Sequence, residues 1–255
     1  MRDMDRVPSA YIHAAEKLVE NGYVMVPLKI QTLVFGVMRC YRKFLEEPKV
    51  YRESYNFWTS GEYGPNKKDL GYCEKNGDNP GEDAKDIFHW GDELEPYLHA
   101  KSVDTIRHQF LLGYSREIFE ISWQHHCMML EACDYVIPGF NLYERTQGGL
   151  SRKPSRLRLV SYKERPGRKV MAEGHFDLGV VTSHLYSGPG LWLVKDNTRI
   201  AYTHSPGYIL MFFGKEMEEI TKGELKAVWH EVTDERAAAD TRRREAAVFF
   251  GRALV

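Results

Sequence analysis

Apolar residues recur every three or four positions through the first half of the chain, and every second position through much of the second half. From Ile30 the apolar positions are Ile30, Leu33, Val34, Val37, Met38, Tyr41, Phe44 and Leu45, which line one helix face over about four turns. A shorter helix is expected over 9–21, with Ser9 as its cap and Gly22 as its stop signal. The run Tyr23-Val24-Met25-Val26 then reads as a short strand. A further helix is expected from about Asp104 to Cys133, with Pro138-Gly139 closing the pattern. Between the helices, 52–95 is rich in Gly, Asn, Asp and aromatic residues and reads as loops with short ordered pieces. Long irregular segments inside compact domains are often lids or binding loops, so 55–90 is the candidate for part of a substrate cover.

After 150 the period changes. Leu157 and Leu159 alternate with Arg156 and Arg158, and short strand-like runs follow at 170–181, 190–194, 208–213, 227–232 and 246–250. Turn sequences such as Ser187-Gly188-Pro189-Gly190, Asp196-Asn197 and Ser205-Pro206-Gly207 separate them. Many short strands at this spacing predict a β-sandwich or barrel. The overall expectation is an α+β chain, with a mainly helical part at 1–150 packed on a β core at 151–255. No internal repeat or low-complexity tract interrupts it.

Composition narrows the class without naming a chemistry. The 255 residues carry 35 Lys plus Arg against 36 Asp plus Glu, a formal charge of −1. That balance argues against nucleic acid or anionic membrane as the partner. Apolar residues at 43% exclude a disordered chain. Four cysteines without a CxxC pair, and an N-terminus without an apolar core segment, point to a reduced, cytoplasmic protein.

The sharpest local signal is His175-Phe176-Asp177 inside a strand-like run. Alternation would place His175 and Asp177 on one face and Phe176 on the other. His230 lies in a second such run, Ala227-Val228-Trp229-His230-Glu231-Val232. Two imidazoles and one carboxylate on one face of a metal leave three positions open, the facial triad of non-haem Fe(II) oxygenases.

These segments and their flanks also resemble a known family. Gly174-His175-Phe176-Asp177-Leu178-Gly179, followed by Gly190-Leu191-Trp192-Leu193, resembles the surroundings of the first two iron ligands in 2-oxoglutarate-dependent dioxygenases of the isopenicillin N synthase-like group. Gly207-Tyr208-Ile209-Leu210 and the stretch from Thr221 to His230 are similar to that family's approach to its distal histidine. Arg244-Glu245-Ala246-Ala247-Val248-Phe249-Phe250 resembles its Arg-x-Ser strand, and Leu157-Arg158-Leu159-Val160-Ser161-Tyr162 its Asn-x-Tyr strand. Asn21-Gly22-Tyr23-Val24-Met25-Val26 is similar to its opening strand.

The resemblance implies a double-stranded β-helix, or jelly roll, within a single dioxygenase domain, with Fe(II) between His175, Asp177 and His230. It implies 2-oxoglutarate as co-substrate, Arg244 on its far carboxylate and a hydrogen bond from Tyr162. With dioxygen, such a site would hydroxylate, desaturate or cyclise a small molecule by hydrogen abstraction. A carboxylate at Asp177 favours these outcomes over halogenation, where a small residue vacates the position for halide. Strand parity supports an inward Arg244, which shares its face with Ala246 and Val248, and leaves Arg242 in reserve.

Three positions depart from the family. Ala246 replaces its serine, Val160 its asparagine, and Gly214-Lys215 its usual Gly-Asp, the last read as a matter of fold. Ala246 keeps open an iron-dependent oxidase of the same fold that does not use 2-oxoglutarate. A metal-free jelly roll that binds a ligand is a more remote alternative. His125-His126-Cys127 is read as helix packing, because adjacent helical side chains diverge. His184 and His204 are read as surface or loop histidines.

Overall fold

The computed structural model describes residues 7–58, 69–77, 83–145, 151–163, 170–234 and 243–253. Helix α1 covers Ser9–Asn21, and Gly22 ends it in the left-handed conformation (φ 79°), donating its N–H to the Leu18 carbonyl. Ser9 begins the helix rather than capping it; Pro8 holds the cap position, and no side-chain cap forms. Strand β1 (Tyr23–Pro27) follows, then α2 (Gln31–Leu45), whose apolar stripe buries Val34, Val37, Met38, Tyr41 and Phe44 as its spacing requires. A short α3 (Lys49–Glu53), α4 (Leu94–Ala100) and a 3₁₀ turn at Ile106–His108 precede the long α5 (Gln109–Val136). A short α6 (Leu142–Arg145) follows it.

The segment expected to be loop and cover contains three strands, β2 (Asn56–Trp58), β3 (Asp69–Lys75) and β4 (Lys85–Trp90). β4 pairs with β5 (Ser151–Tyr162), β3 with β4, and β2 with β3. Pairing and burial of Tyr72, Ile87, Phe88 and Trp90 override the local turn composition. The rest of that expected cover, 59–68 and 78–82, lies outside the described residues.

The C-terminal half continues with β6 (Val170–His175), β7 (Val181–Ser187), β8 (Leu191–Lys195), β9 (Thr198–Tyr202), β10 (Tyr208–Phe213), helix α7 (Lys215–Ile220), β11 (Trp229–Thr233) and β12 (Arg244–Arg252). Two sheets result, one ordered β1-β10-β7-β12-β5-β4-β3-β2 and the other β6-β11-β8-β9. Every pairing is antiparallel. The expected strand at 170–181 is thus two strands in different sheets, parted at Phe176 and Asp177.

Strand parity divides the large sheet between two cores. Leu157, Leu159, Ala247 and Phe249 pack with helix residues such as Val37, Phe44 and Phe119. Val160, Tyr162, Ala246 and Val248 face Leu191, Leu193 and Val232 of the small sheet. This two-sheet antiparallel interior, walled on one side by helices, is the jelly roll expected from the resemblance. Among the described residues no helix is long and apolar enough to cross a membrane, and Cys40, Cys73, Cys127 and Cys133 form no disulfide.

Candidate metal centre and co-substrate site

His175 ends β6 and pairs in register with His230 of β11, so backbone hydrogen bonding sets the two imidazoles side by side with ring centroids 4.4 Å apart. Asp177 lies just past the strand end, so turn geometry rather than strand alternation brings its carboxylate beside them. Its Oδ1 is 3.7 Å from His175 Nε2, and its Oδ2 is 3.7 Å from His230 Nε2. One ligand atom from each residue lies within 4.8 Å of the others.

The protonation of both imidazoles is set from behind. His175 Nδ1 sits 2.8 Å from the Glu173 carbonyl oxygen, and His230 Nδ1 sits 3.2 Å from that of Val228. A carbonyl oxygen only accepts, so each Nδ1 carries the proton and each Nε2 presents a lone pair. Burial pushes the His230 pKa below the ordinary histidine value. Burial raises the Asp177 pKa, but His230 and then His175 outweigh it, and the carboxyl is held below its usual range. Asp177 Oδ2 is buried without a hydrogen-bond partner. An anionic oxygen and two imidazole lone pairs converging in this way fit a divalent metal ion.

The loop carrying Asp177 is held through its backbone. Gly214 N–H donates to the Val180 carbonyl (3.1 Å), Lys215 N–H to that of Asp177 (2.8 Å) and Glu216 N–H to that of Leu178 (3.1 Å).

The triad borders a cavity through His175 and Asp177. His230 and Asp177 are buried, while the His175 side chain is 46% exposed and borders a cavity of about 400 Å³ with Asp69, His89, Arg158 and Phe250.

Arg244 and Tyr162 form a second cluster. They are register partners on β12 and β5, and the Arg244 guanidinium lies 4.9 Å from the Tyr162 ring centroid. Arg244 is 2% exposed and donates to the Pro189 carbonyl (3.0 Å) and to Ser187 Oγ (2.8 Å). It borders a different cavity from the triad, with Ser161, Lys163 and Tyr186. Its neighbours are tied outward: Glu245 forms a bidentate pair with Arg42 of α2, and Arg243 reaches Asp86 at 2.6 Å. Arg242, the reserve candidate, lies outside the described residues. Ala246 is buried in the inner core, and its register partner on β7 is Ser187. A hydroxyl beside Arg244 therefore comes from the neighbouring strand.

His184 corrects the sequence reading. It is buried on β7, its ring 5.7 Å from Phe212 and 6.3 Å from that of His230, with Nδ1 unpartnered. Burial, reinforced by His230, lowers its pKa to about 3, so the ring is neutral. The charges of Asp177 and Arg244 also act on it, in opposite directions. Hydropathy alone hid it, because a single polar residue in an apolar strand resembles an outward position. His204 lies in the loop after β9, as expected. His125 and His126 pack inside α5, with His126 Nε2 2.6 Å from Ser183 Oγ.

Residues 153–252 match the family profile of the 2OG-Fe(II) oxygenase superfamily. That stretch holds His175, Asp177 and His230, the three converging side chains. The match covers 100 residues of the 255, in the C-terminal half. Among solved structures, the chain resembles a full-length Neurospora crassa protein in complex with alpha-KG and thymine: TM-score 0.73 and 18% identity, covering 95% of this chain and 80% of that one. It also resembles dioxygenase for auxin oxidation 1 from Arabidopsis thaliana, in a 2-oxoglutarate complex: TM-score 0.71 and 15% identity, covering 99% and 92%. At these identities the likeness establishes the oxygenase fold. No curated protein sequence matches the chain significantly.

Proposed function

We propose that this oxygenase binds Fe(II) through His175 Nε2, His230 Nε2 and the Asp177 carboxylate, and uses 2-oxoglutarate and dioxygen to oxidise a small organic molecule. The convergence of those three groups, with both imidazoles fixed in the metal-binding tautomer by backbone carbonyls, carries the reading. When bound, iron and 2-oxoglutarate supply the oxidising power, at the cost of converting the co-substrate to succinate and carbon dioxide.

The chain's share is binding and orientation. Arg244, with its planar fork beside Ser187, pairs with the far carboxylate, and Tyr162 donates a hydrogen bond. The apolar interior formed by Val248, Leu193 and Phe212 keeps water from the co-substrate. The helices act as the wall of one catalytic unit spanning 1–255, an assignment supported by the shared core of α2, α5 and the large sheet. The complexes of the Neurospora crassa protein and of dioxygenase for auxin oxidation 1 agree with 2-oxoglutarate as co-substrate, and thymine in the former agrees with a small-molecule substrate. Four cysteines without a disulfide favour the cytoplasm as the setting.

Ala246 favours one competing reading, an oxidase that consumes dioxygen without 2-oxoglutarate. Measuring succinate against dioxygen in the iron-loaded protein separates the two. One succinate per dioxygen is expected; dioxygen uptake without succinate overturns the proposal.

A further inference from the structure

Four cations border the cavity into which the triad opens: Lys85, Arg156, Arg158 and Arg252. Three of them are neutralised. Lys85 pairs with Asp83 at 3.0 Å, Arg156 with Asp69 at 3.1 Å and Arg252 with Glu216 at 2.7 Å. Arg158 differs. Among the described residues it meets no carboxylate within ion-pair distance, and its single hydrogen bond runs from Nε to His89 Nε2 at 2.6 Å.

That acceptor is held neutral. Burial, and then the Arg158 charge itself, lower the His89 pKa to about 4. His89 Nδ1–H donates to the Asp69 carbonyl at 2.9 Å, which leaves the Nε2 lone pair for Arg158. The guanidinium lies 4.5 Å from the Phe250 ring centroid, so its plane is fixed as well as its anchor. The two terminal nitrogens have no protein partner among the described residues. A half-buried cation fixed by a neutral acceptor and an aromatic face, fork unused, on the wall of a reactive cavity is built to receive an anion.

We infer that Arg158 binds a carboxylate of the substrate, so that the molecule oxidised here is a small monocarboxylic acid whose remaining body extends towards His175 and Asp177. This rests on the oxygenase reading for the identity of the cavity. A planar carboxylate matches one fork with two parallel hydrogen bonds, and a single negative charge matches one unneutralised arginine. A phosphate dianion would need a second free cation, and among the described residues the other three are already paired. The cavity, about 400 Å³, is of a size that takes a ring-bearing acid.

The test uses the anaerobic protein loaded with Fe(II) and 2-oxoglutarate, so that the co-substrate already occupies its own site. Formation of the visible charge-transfer band is recorded first. Phenylacetate, phenylacetamide and phenyl phosphate are then titrated calorimetrically into the wild type and into R158Q and R158K. Wild type is expected to bind phenylacetate at least tenfold more tightly than the isosteric amide and more tightly than phenyl phosphate. R158Q is expected to erase the acid preference while keeping the band, and R158K to retain part of it. No preference for the acid in wild type, tighter binding of phenyl phosphate, or a preference surviving in R158Q overturns the inference and leaves the oxygenase reading standing. Absence of the band in wild type overturns the oxygenase reading and this role with it.

Discussion

Gly214 offers the most informative single substitution, because its effect on the Asp177 loop can be worked from the structure. Its backbone is extended (φ −107°, ψ −175°), so alanine meets no dihedral strain. Space is the obstacle. A Cβ built there would lie 2.8 Å from the Asp177 carbonyl oxygen and nearer still to that of Gly179. Ordinary contact begins at 3.4 Å, so the 177–179 backbone must yield by more than half an ångström. That backbone is gripped by the N–H groups of Lys215 and Glu216, with Gly214 N–H holding the adjoining Val180 carbonyl, and relief therefore stretches those bonds or displaces the Asp177 carboxylate.

Overpacking of this kind costs about 1–3 kcal/mol. If half falls on the Asp177 geometry, metal affinity drops roughly two- to tenfold. Gly214→Ala is to be compared with Gly113→Ala on α5, where a Cβ meets nothing within 4 Å. The control should gain up to about 1 kcal/mol from helix propensity and leave metal binding unchanged. Chemical denaturation reads stability, and calorimetric Co(II) titration reads affinity. Wild-type stability together with wild-type affinity in Gly214→Ala would refute the reasoning.

Three further outcomes follow from the same geometry. His125 is buried with both ring nitrogens unpartnered, and burial lowers its pKa to about 4. Between the unfolded value near 6.5 and about 4 the unfolded chain binds a proton that the folded one refuses, so stability must fall as pH falls through that window. At pH 5 the loss from this residue is roughly 2 kcal/mol, and His125→Phe should remove that part of the pH dependence in denaturation curves at pH 7 and pH 5. Arg244→Gln should raise the KM for 2-oxoglutarate about ten- to a hundredfold, from loss of charge-assisted hydrogen bonds worth about 1.5–3 kcal/mol, whereas Ser187→Ala should raise it only about two- to tenfold. Ala246→Ser, which restores the family hydroxyl, should lower that KM by a similar two- to tenfold; steady-state succinate formation reads all three variants.

How much of this was legible in the sequence depends on the range of the interaction involved. The α2 stripe from Ile30 to Leu45 and the parity that turned Arg244 inward are short-range patterns, and both hold in the fold. His175, Asp177 and His230 were legible because they sit in recognisable flanks, although the parity argument for Asp177 rested on a strand that ends two residues earlier. β3 and β4 were missed because glycines and acidic residues surround them, and their stability comes from pairing with β5, far away in the chain. His184 and the Arg158–His89 pair were missed for a related reason. Their environment is made by strands remote in sequence, and no local spacing encodes the burial or the partner.

The central claim is that His175, Asp177 and His230 hold iron while Arg244 holds the co-substrate. An anomalous difference map at the iron edge, from crystals grown anaerobically with Fe(II) and 2-oxoglutarate, tests it most directly. The account predicts one peak among His175 Nε2, His230 Nε2 and the Asp177 carboxylate, with the far carboxylate of 2-oxoglutarate on the Arg244 guanidinium. Iron bound elsewhere, or a co-substrate that does not touch Arg244, would contradict it.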